Sequence, residues 1–201
     1  MQDERGSFDH LVTRCFGTRI SDTELKQRIN EHDRDGLTIL HHVCNVTTPP
    51  WMTERLLREF GAQPDIMIGR FGYSPIFAAI AQYQLHHIRL LIAYGGRELL
   101  CKPCFVDPAI TPLQLAFQLG KTSVAILLLD LGASYEFLLV LRGRFTEQED
   151  LIIQHVRVIQ AREKRALLTC CAIWHAQWLP RDMRRMLMCY VWSERRNDAW
   201  D

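Results

Sequence analysis

The 201-residue chain lacks the features that mark several large classes of protein. No apolar run approaches the roughly 20 residues of a membrane-spanning helix, so no membrane partner is expected. The net charge is only +1, which predicts no broad electrostatic attraction to nucleic acid. The polar start, MQDERGSFDH, does not resemble a secretion signal, and the seven cysteines are scattered and odd in number. A reducing compartment, cytosolic or nuclear, is therefore expected.

Catalytic and metal-binding motifs are missing as well. The chain has no G-x-S-x-G, no H-E-x-x-H and no glycine loop of the kind that cradles phosphate. Cys101 and Cys104 form a single C-x-x-C, but a zinc site needs two more ligands, and no second C-x-x-C or H-x-x-H exists. His86 and His87 are adjacent, so they point in different directions from a helix. We expect no enzymatic activity, no metal and no cofactor.

What the chain does have is a repeated frame, clearest from Phe71 to Gly96. This copy opens with Gly72 and Ser74-Pro75, continues with a short apolar run, a polar break and a second apolar stripe, and stops at Gly-Gly. The pattern predicts a turn, a short helix, a tight connection and a second helix with a glycine cap. The same frame surrounds residues 35–43 and 109–117.

Thr38, Ser74 and Thr111 keep step, 36 and 37 residues apart. Each is expected to begin a helix by accepting a hydrogen bond from a backbone amide, and a following proline fits the first helical position. The closing glycines are expected to adopt the left-handed conformation. The first copy is two residues longer, an excess that we assign to residues 47–50. One unit cannot bury its apolar face alone, so the copies predict a stack.

In this frame the chain resembles the ankyrin-repeat family. The matching residues are Thr38-Ile39-Leu40-His41, Ser74-Pro75-Ile76-Phe77 and Thr111-Pro112-Leu113-Gln114, with Gly61-Ala62, Gly95-Gly96 and Gly132-Ala133 closing the second helices. The resemblance covers about half of the chain, from Glu31 to Ser134. It implies an all-α ankyrin-repeat solenoid with a degenerate capping repeat at 1–31, three repeats at 32–134, a degenerate fourth repeat at 135–160, and a helical box or cap at 161–201. His41 then has a structural role.

The family binds target proteins through its projecting turns and the concave face beside them. The family's variable contact positions fall on Arg34, Asp35, Leu37 and Asn45 in the first repeat, Arg70, Phe71, Tyr73, Ala81 and Gln82 in the second, and Asp107, Ile110 and Gln118 in the third. Arg70, Phe71 and Tyr73 are the strongest expected contacts, because arginine and aromatic side chains dominate interface energetics. The alternative is that Phe71 and Tyr73 pack against adjacent turns. Ala109, in a glycine position, departs from the pattern.

The flanking segments also predict helices. Phe8–Cys15 and Ser21–Asn30 read as helices, the second with a capping box of Ser21 and Glu24. Tyr135–Leu141 predicts a short helix. A second capping box, Thr146 with Glu149, opens a helix whose expected inner face is Leu151, Ile152, His155, Val156 and Ile159. Whether that helix stops at the charged stretch 161–165 or continues is left open.

Proline 180 begins the last predicted helix, within Trp178–Trp192. One apolar face is expected at Met183, Met186, Leu187, Tyr190 and Val191, and a second at Met188 and Trp192. The segment resembles the F-box-like (PRANC-type) tail of poxvirus ankyrin proteins, and Ala166–Cys171 with the later Leu-Pro also resembles a SOCS box. Such tails bind the adaptor of a cullin ubiquitin ligase, which implies adaptor contacts at Leu179, Pro180, Met183, Met188 and Trp192 and a host-cell cytosolic setting. The alternative is a plain scaffold or inhibitor whose last helices only cap the stack.

Overall fold

The computed structural model describes residues 2–18, 20–68, 72–104, 110–141, 146–175 and 180–197. Within these ranges the protein is all-α, as predicted, and its only extended pairing is two isolated bridges, Ile68 with Tyr73 and Cys104 with Ile110. No helix in these ranges combines the length and the apolar character needed to cross a bilayer.

The helices follow one another with short connections. In chain order they are α1 (Gln2–Phe16), α2 (Asp22–Arg28), α3 (Ile39–Asn45), α4 (Pro50–Arg58), α5 (Pro75–Ala81), α6 (Leu85–Gly95), a 3-10 turn (Arg97–Leu100), α7 (Pro112–Gln118), α8 (Thr122–Asp130), α9 (Glu136–Val140), α10 (Glu147–His175) and α11 (Arg181–Asn197). The predicted repeats correspond to three helical hairpins, α3–α4, α5–α6 and α7–α8. The connection in the first hairpin is residues 46–49, one residue longer than 82–84 and 119–121, where the sequence predicted two extra residues.

Each hairpin begins as predicted, with Thr38, Ser74 or Thr111 in extended conformation before the first helix. The expected bond from a backbone amide to the capping hydroxyl, however, forms only at Thr111, which makes a full capping box with Gln114. The prediction was wrong at Thr38 and Ser74, and the residue three positions later explains why. In the first hairpin the Thr38 hydroxyl bonds to the His41 ring instead of to a backbone amide. In the second hairpin the residue three positions later is Phe77, which has no polar side-chain atom, and Ser74 Oγ is buried without a partner in the described structure.

Glycines end the second helices as the sequence predicts. Gly61, Gly96 and Gly132 have φ values of 73°, 81° and 97°, a conformation that other residues adopt at an energetic cost. Gly95 has a different role, because it is the last residue of α6. A Cβ atom there would lie 2.5 Å from both Leu99 Cδ1 and Pro64 Cγ, so the following 3-10 turn can approach only a glycine.

The hairpins stack side by side. Helix α3 packs against α5 and α5 against α7, while α4 packs against α6 and α8 against α10. The same positions are buried in each copy: Leu40, Ile76 and Leu113 in the first helices, and Leu56, Leu91 and Leu128 in the second ones. Burying a leucine-sized side chain stabilises the fold by roughly 1.5–3 kcal/mol, and neighbouring hairpins supply that burial.

The amino-terminal helices cover the first hairpin. Ser21 Oγ accepts from the Glu24 amide at 3.3 Å, which is one half of the predicted capping box at the start of α2. The other half does not form, because the Glu24 carboxylate pairs with Arg28. Phe8 of α1 is buried against the rings of Trp51 and Phe60, which belong to α4 and the turn after it. The first segment therefore closes the core at this end.

At the other end the structure decides what the sequence left open. Helix α10 is continuous for 29 residues, so the expected division at 160/161 falls inside a helix. Thr146 and Glu149 form the predicted capping box. On the expected inner face Ile152 and Val156 are buried, but Leu151 is exposed. The long helix packs against both α8 and α11.

Candidate functional site

A turn precedes each of the helices α3, α5 and α7. In the first, the Asp33 carboxylate organises the backbone: its Oδ1 accepts from the amides of Asp35 and Leu37, each at 2.9 Å, and its Oδ2 bonds to the His42 ring. Burial alone would raise the pKa of Asp33, but the Leu37 amide, the His42 ring and the Asp35 amide together lower it. The turn therefore holds Arg34 and Asp35 in solvent, where the sequence predicted contact residues.

The second turn is closed by Ile68 and Tyr73, whose amides and carbonyls exchange hydrogen bonds of 2.8 and 3.2 Å. Tyr73 remains 38% exposed, with its ring centroid 5.8 Å from that of Phe77. Tyr73 therefore packs on a ring of α5 and still faces solvent, and its contact with a partner stays a prediction. The predicted contacts Arg70 and Phe71 lie outside the described residues.

The third turn is closed by the Cys104 amide, which donates to the Ile110 carbonyl at 2.9 Å. Ile110 is half-buried and packs against the core, so it is a less accessible contact than predicted. Asp107, and Ala109 in the glycine position, lie outside the described residues.

A groove of about 350 Å³ runs between these turns and the first helices of the hairpins. Four of the predicted contact residues line it: Leu37, Asn45, Tyr73 and Ala81. The rest of the lining is His41, Ile68, Ser74, Phe77, Ala78, Leu115 and Leu119. The structure thus joins residues from three hairpins in one mostly apolar depression.

The remaining predicted contacts lie beside the groove. Gln82 Nε2 donates to Asn45 Oδ1 at 3.4 Å, which links the ends of α3 and α5. Gln118 is exposed at the end of α7. Sequence reasoning missed Leu115 and Leu119, although Leu119 occupies the same position after Thr111 as the predicted contact Gln82 does after Ser74, so a count along the repeat would have found Leu119.

His41 fixes the back of the groove. Its Nε2 lies 3.3 Å from the Tyr73 carbonyl and its Nδ1 lies 2.7 Å from Thr38 Oγ1. A carbonyl can only accept, so Nε2 carries the proton and Nδ1 of the neutral ring accepts from the Thr38 hydroxyl. Burial lowers the pKa of His41 to about 4, against the opposing effect of the Tyr73 bond. The ring is therefore neutral at physiological pH and joins the first hairpin to the turn of the second, the structural role predicted for it.

Apolar side chains are also exposed in the connections that follow the first helices. Val46, Tyr83 and Leu119 are each about half exposed, and they follow α3, α5 and α7. Tyr83 has a φ of 60°, and it is the described structure's one residue other than glycine with a positive φ. Gln84 Nε2 donates to the Val46 carbonyl at 2.7 Å, and this bond links the connections of the first two hairpins.

The cysteines form no obvious reactive site. Cys101 is exposed while Cys104 is buried, and no group of three potential metal ligands occurs among the described residues. Burial, with a smaller contribution from Asp33, raises the pKa of Cys15 to about 11, and burial also raises that of Cys44. Both thiols are therefore protonated and unreactive at neutral pH.

The carboxyl-terminal helix α11 presents apolar side chains to solvent. Met183 and Met186 are 51% and 72% exposed, and Leu187 is exposed too, so these three residues of the predicted apolar face are open to solvent. Val191 of the same face is half-buried, and the side chain of Tyr190 lies outside the described residues. Met188 is half-buried instead, and its carbonyl lies 4.0 Å from Cys170 Sγ of α10. Pro180 is exposed before the helix. Leu179 and the side chain of Trp192 lie outside the described residues.

No protein-family model matches the chain, and no curated protein sequence matches it.

Proposed function

We propose that the chain is an ankyrin-type repeat protein that binds a target protein and performs no chemistry itself. The observation that carries the proposal is the groove, in which Leu37, Asn45, Tyr73 and Ala81 meet although they are spread over 45 residues of sequence. Three hairpins with the same capping positions, stacked in one order, support the ankyrin assignment.

The groove has the composition of a protein-binding surface. Its lining is mostly aliphatic and aromatic, and Asn45, which lines it, bonds to the amide of Gln82. Tyrosine at the centre of such a surface is a typical energetic hot spot. A reducing compartment, cytosol or nucleus, suits a protein with seven free cysteines.

Substitution at an exposed groove position tests this proposal. Leu119→Glu places a charge at the groove edge without disturbing the core, because Leu119 is 45% exposed. Proteins that co-purify with the wild type from cells should be lost with this variant and retained with Arg89→Glu, a charge change at an exposed position on α6. Equal recovery with both variants, each folded by circular dichroism, would contradict a role for the groove.

A second candidate function adds a ubiquitin-ligase link through the carboxyl-terminal helices. The observation that favours it is the exposure of Met183, Met186 and Leu187 on α11, since exposed methionine-rich surfaces suit adaptable partner binding. In this proposal the groove selects the substrate and α11 binds the adaptor of a cullin ligase. The plain alternative is a scaffold or inhibitor in which α10 and α11 only cap the stack.

Point variants separate these two candidates better than truncation, because α11 packs against α10. Met183→Glu with Met186→Glu changes exposed positions only, so the fold should persist. Cullin-complex components recovered with the wild type and with Arg185→Glu, but not with the methionine double variant, would support the ligase link. Their absence from every sample would leave the scaffold function.

A further inference from the structure

The helices that form the groove carry no formal charge. Helices α3, α5 and α7 contain no aspartate, glutamate, lysine or arginine. Both histidines of α3 already have hydrogen-bond partners: the buried neutral ring of His41 bonds to Thr38, and His42 bonds to the Asp33 carboxylate. A charged side chain pressed against this floor would lose its hydration and meet no opposite charge, which is strongly unfavourable. The floor therefore favours an uncharged occupant.

Amide side chains follow the groove from hairpin to hairpin. Asn45, Gln82 and Gln118 are exposed at the ends of α3, α5 and α7, and Gln82 Nε2 donates to Asn45 Oδ1. An amide group both donates and accepts, as does the backbone of an extended peptide. Packed helices lie about 8–10 Å apart and an extended chain advances about 3.3 Å per residue, so every third residue would meet a new hairpin.

Charged side chains flank the groove but do not line it. Arg34 and Asp35 both project from the turn before α3 and offset each other. At the α7 end Lys121 lies with its Nζ 5.6 Å from the Tyr83 ring centroid, and no carboxylate among the described residues pairs with it. This end therefore offers one cation, held over an exposed aromatic ring, to an incoming ligand.

We infer that the groove binds an extended, uncharged and largely apolar segment of a protein, with an acidic residue at the end beside Lys121. The inference rests on the proposed protein-binding function and adds the chemistry of the bound segment. Three hairpins at three residues each correspond to a segment of about nine residues. The acidic residue is expected to contact Lys121, and this contact would set the direction of the segment.

A phage-displayed library of random dodecapeptides, selected against the full-length protein, tests the inference without knowledge of the natural partner. The expected peptides share a run of uncharged residues, with apolar side chains about three positions apart and an aspartate or glutamate at one end. One such peptide is then synthesised with a fluorophore, and its affinity is measured by fluorescence anisotropy.

The variants give a specific pattern if the inference holds. Leu119→Glu and Lys121→Glu should each weaken binding by about fivefold or more, and Arg89→Glu should leave it unchanged. A peptide whose acidic residue is replaced by lysine should bind the Lys121→Glu variant better than it binds the wild type. If the substitution at position 121 acted only by disturbing the structure, it would weaken the binding of both peptides and would not reverse the preference.

Two results would overturn the inference. One is the absence of any enriched peptide, or the enrichment of basic or helix-patterned peptides. The other is binding that is insensitive to both Leu119→Glu and Lys121→Glu. If either occurs while proteins captured from cells still depend on Leu119, then the partner is recognised as a folded surface, and the proposed protein-binding function stands without the extended segment.

Discussion

The bridge from Thr38 through His41 to Tyr73 predicts a pH-dependent stability that one substitution should remove. The His41 ring is neutral in the folded protein because burial lowers its pKa to about 4, from an ordinary value of 6.5. The unfolded chain binds a proton near pH 6.5 and the folded protein does not. The stability that the neutral His41 ring contributes is therefore fully present above pH 6.5 and is lost as the pH falls towards 4.

The magnitude follows from the two pKa values. Each pH unit between them changes the free energy of unfolding by about 1.4 kcal/mol, so a fall from neutral pH to pH 5 should cost about 2 kcal/mol through this ring. His87 also has its pKa lowered by burial, so the wild type loses stability from more than one group. Comparison with a His41 variant isolates the contribution of His41.

His41→Phe is the informative variant, because Phe77 occupies the equivalent position in the next hairpin and shows that the fold accepts a ring without hydrogen bonds there. At pH 7.5 the variant should be about 2 kcal/mol less stable than the wild type, since the Tyr73 carbonyl and the Thr38 hydroxyl lose their partner. At pH 5 the difference in stability between wild type and variant should nearly vanish, because the wild type has then lost about 2 kcal/mol through His41.

Urea unfolding followed by circular dichroism at both pH values measures the effect. His10→Phe, at an exposed position on α1, is the control and should keep the pH dependence of the wild type. An equal stability difference between wild type and His41→Phe at pH 7.5 and pH 5 would refute the assignment of a neutral, bridging ring.

Further predictions concern the caps and one close approach. Thr111→Ala should destabilise the protein by about 1 kcal/mol in urea unfolding because it removes a capping box, whereas Ser74→Ala should be neutral or slightly stabilising because the Ser74 hydroxyl is buried without a partner. Equal losses would show that both hydroxyls cap their helices. Gly95→Ala should lower stability by about 1–3 kcal/mol, since the new methyl group would overlap Leu99 and Pro64, and an unchanged melting temperature would contradict this packing.

Local signals in the sequence predicted the hairpins because their causes are local. Proline at 75 and 112 fits only the first turn of a helix, and Gly61 and Gly132 adopt a backbone conformation that other residues avoid. These preferences act within a few residues, so they can be found without knowledge of the rest of the fold. The same reasoning predicted the capping box at Thr146 correctly.

The same rules failed where a competing partner was present. Thr38 and Thr111 occupy the same position in their repeats, yet only Thr111 caps its helix, because the Thr38 hydroxyl bonds to His41 instead. His41 can do so because stacking of the second hairpin brings the Tyr73 carbonyl, 32 residues away, to its other nitrogen. The length of α10 depended in the same way on α8 and α11, against which it packs.

The sequence by itself determined the helical hairpins, their order and most of the residues that face solvent on the first helices, because backbone preference and hydrophobic spacing act along the chain. Only the tertiary structure decided that Leu37, Asn45, Tyr73 and Ala81 share one groove with Leu119, and that the apolar face of α11 stays exposed. A groove is formed by the distances between hairpins, and those distances depend on how buried side chains of different repeats fill the space between them. No signal confined to one repeat carries that information.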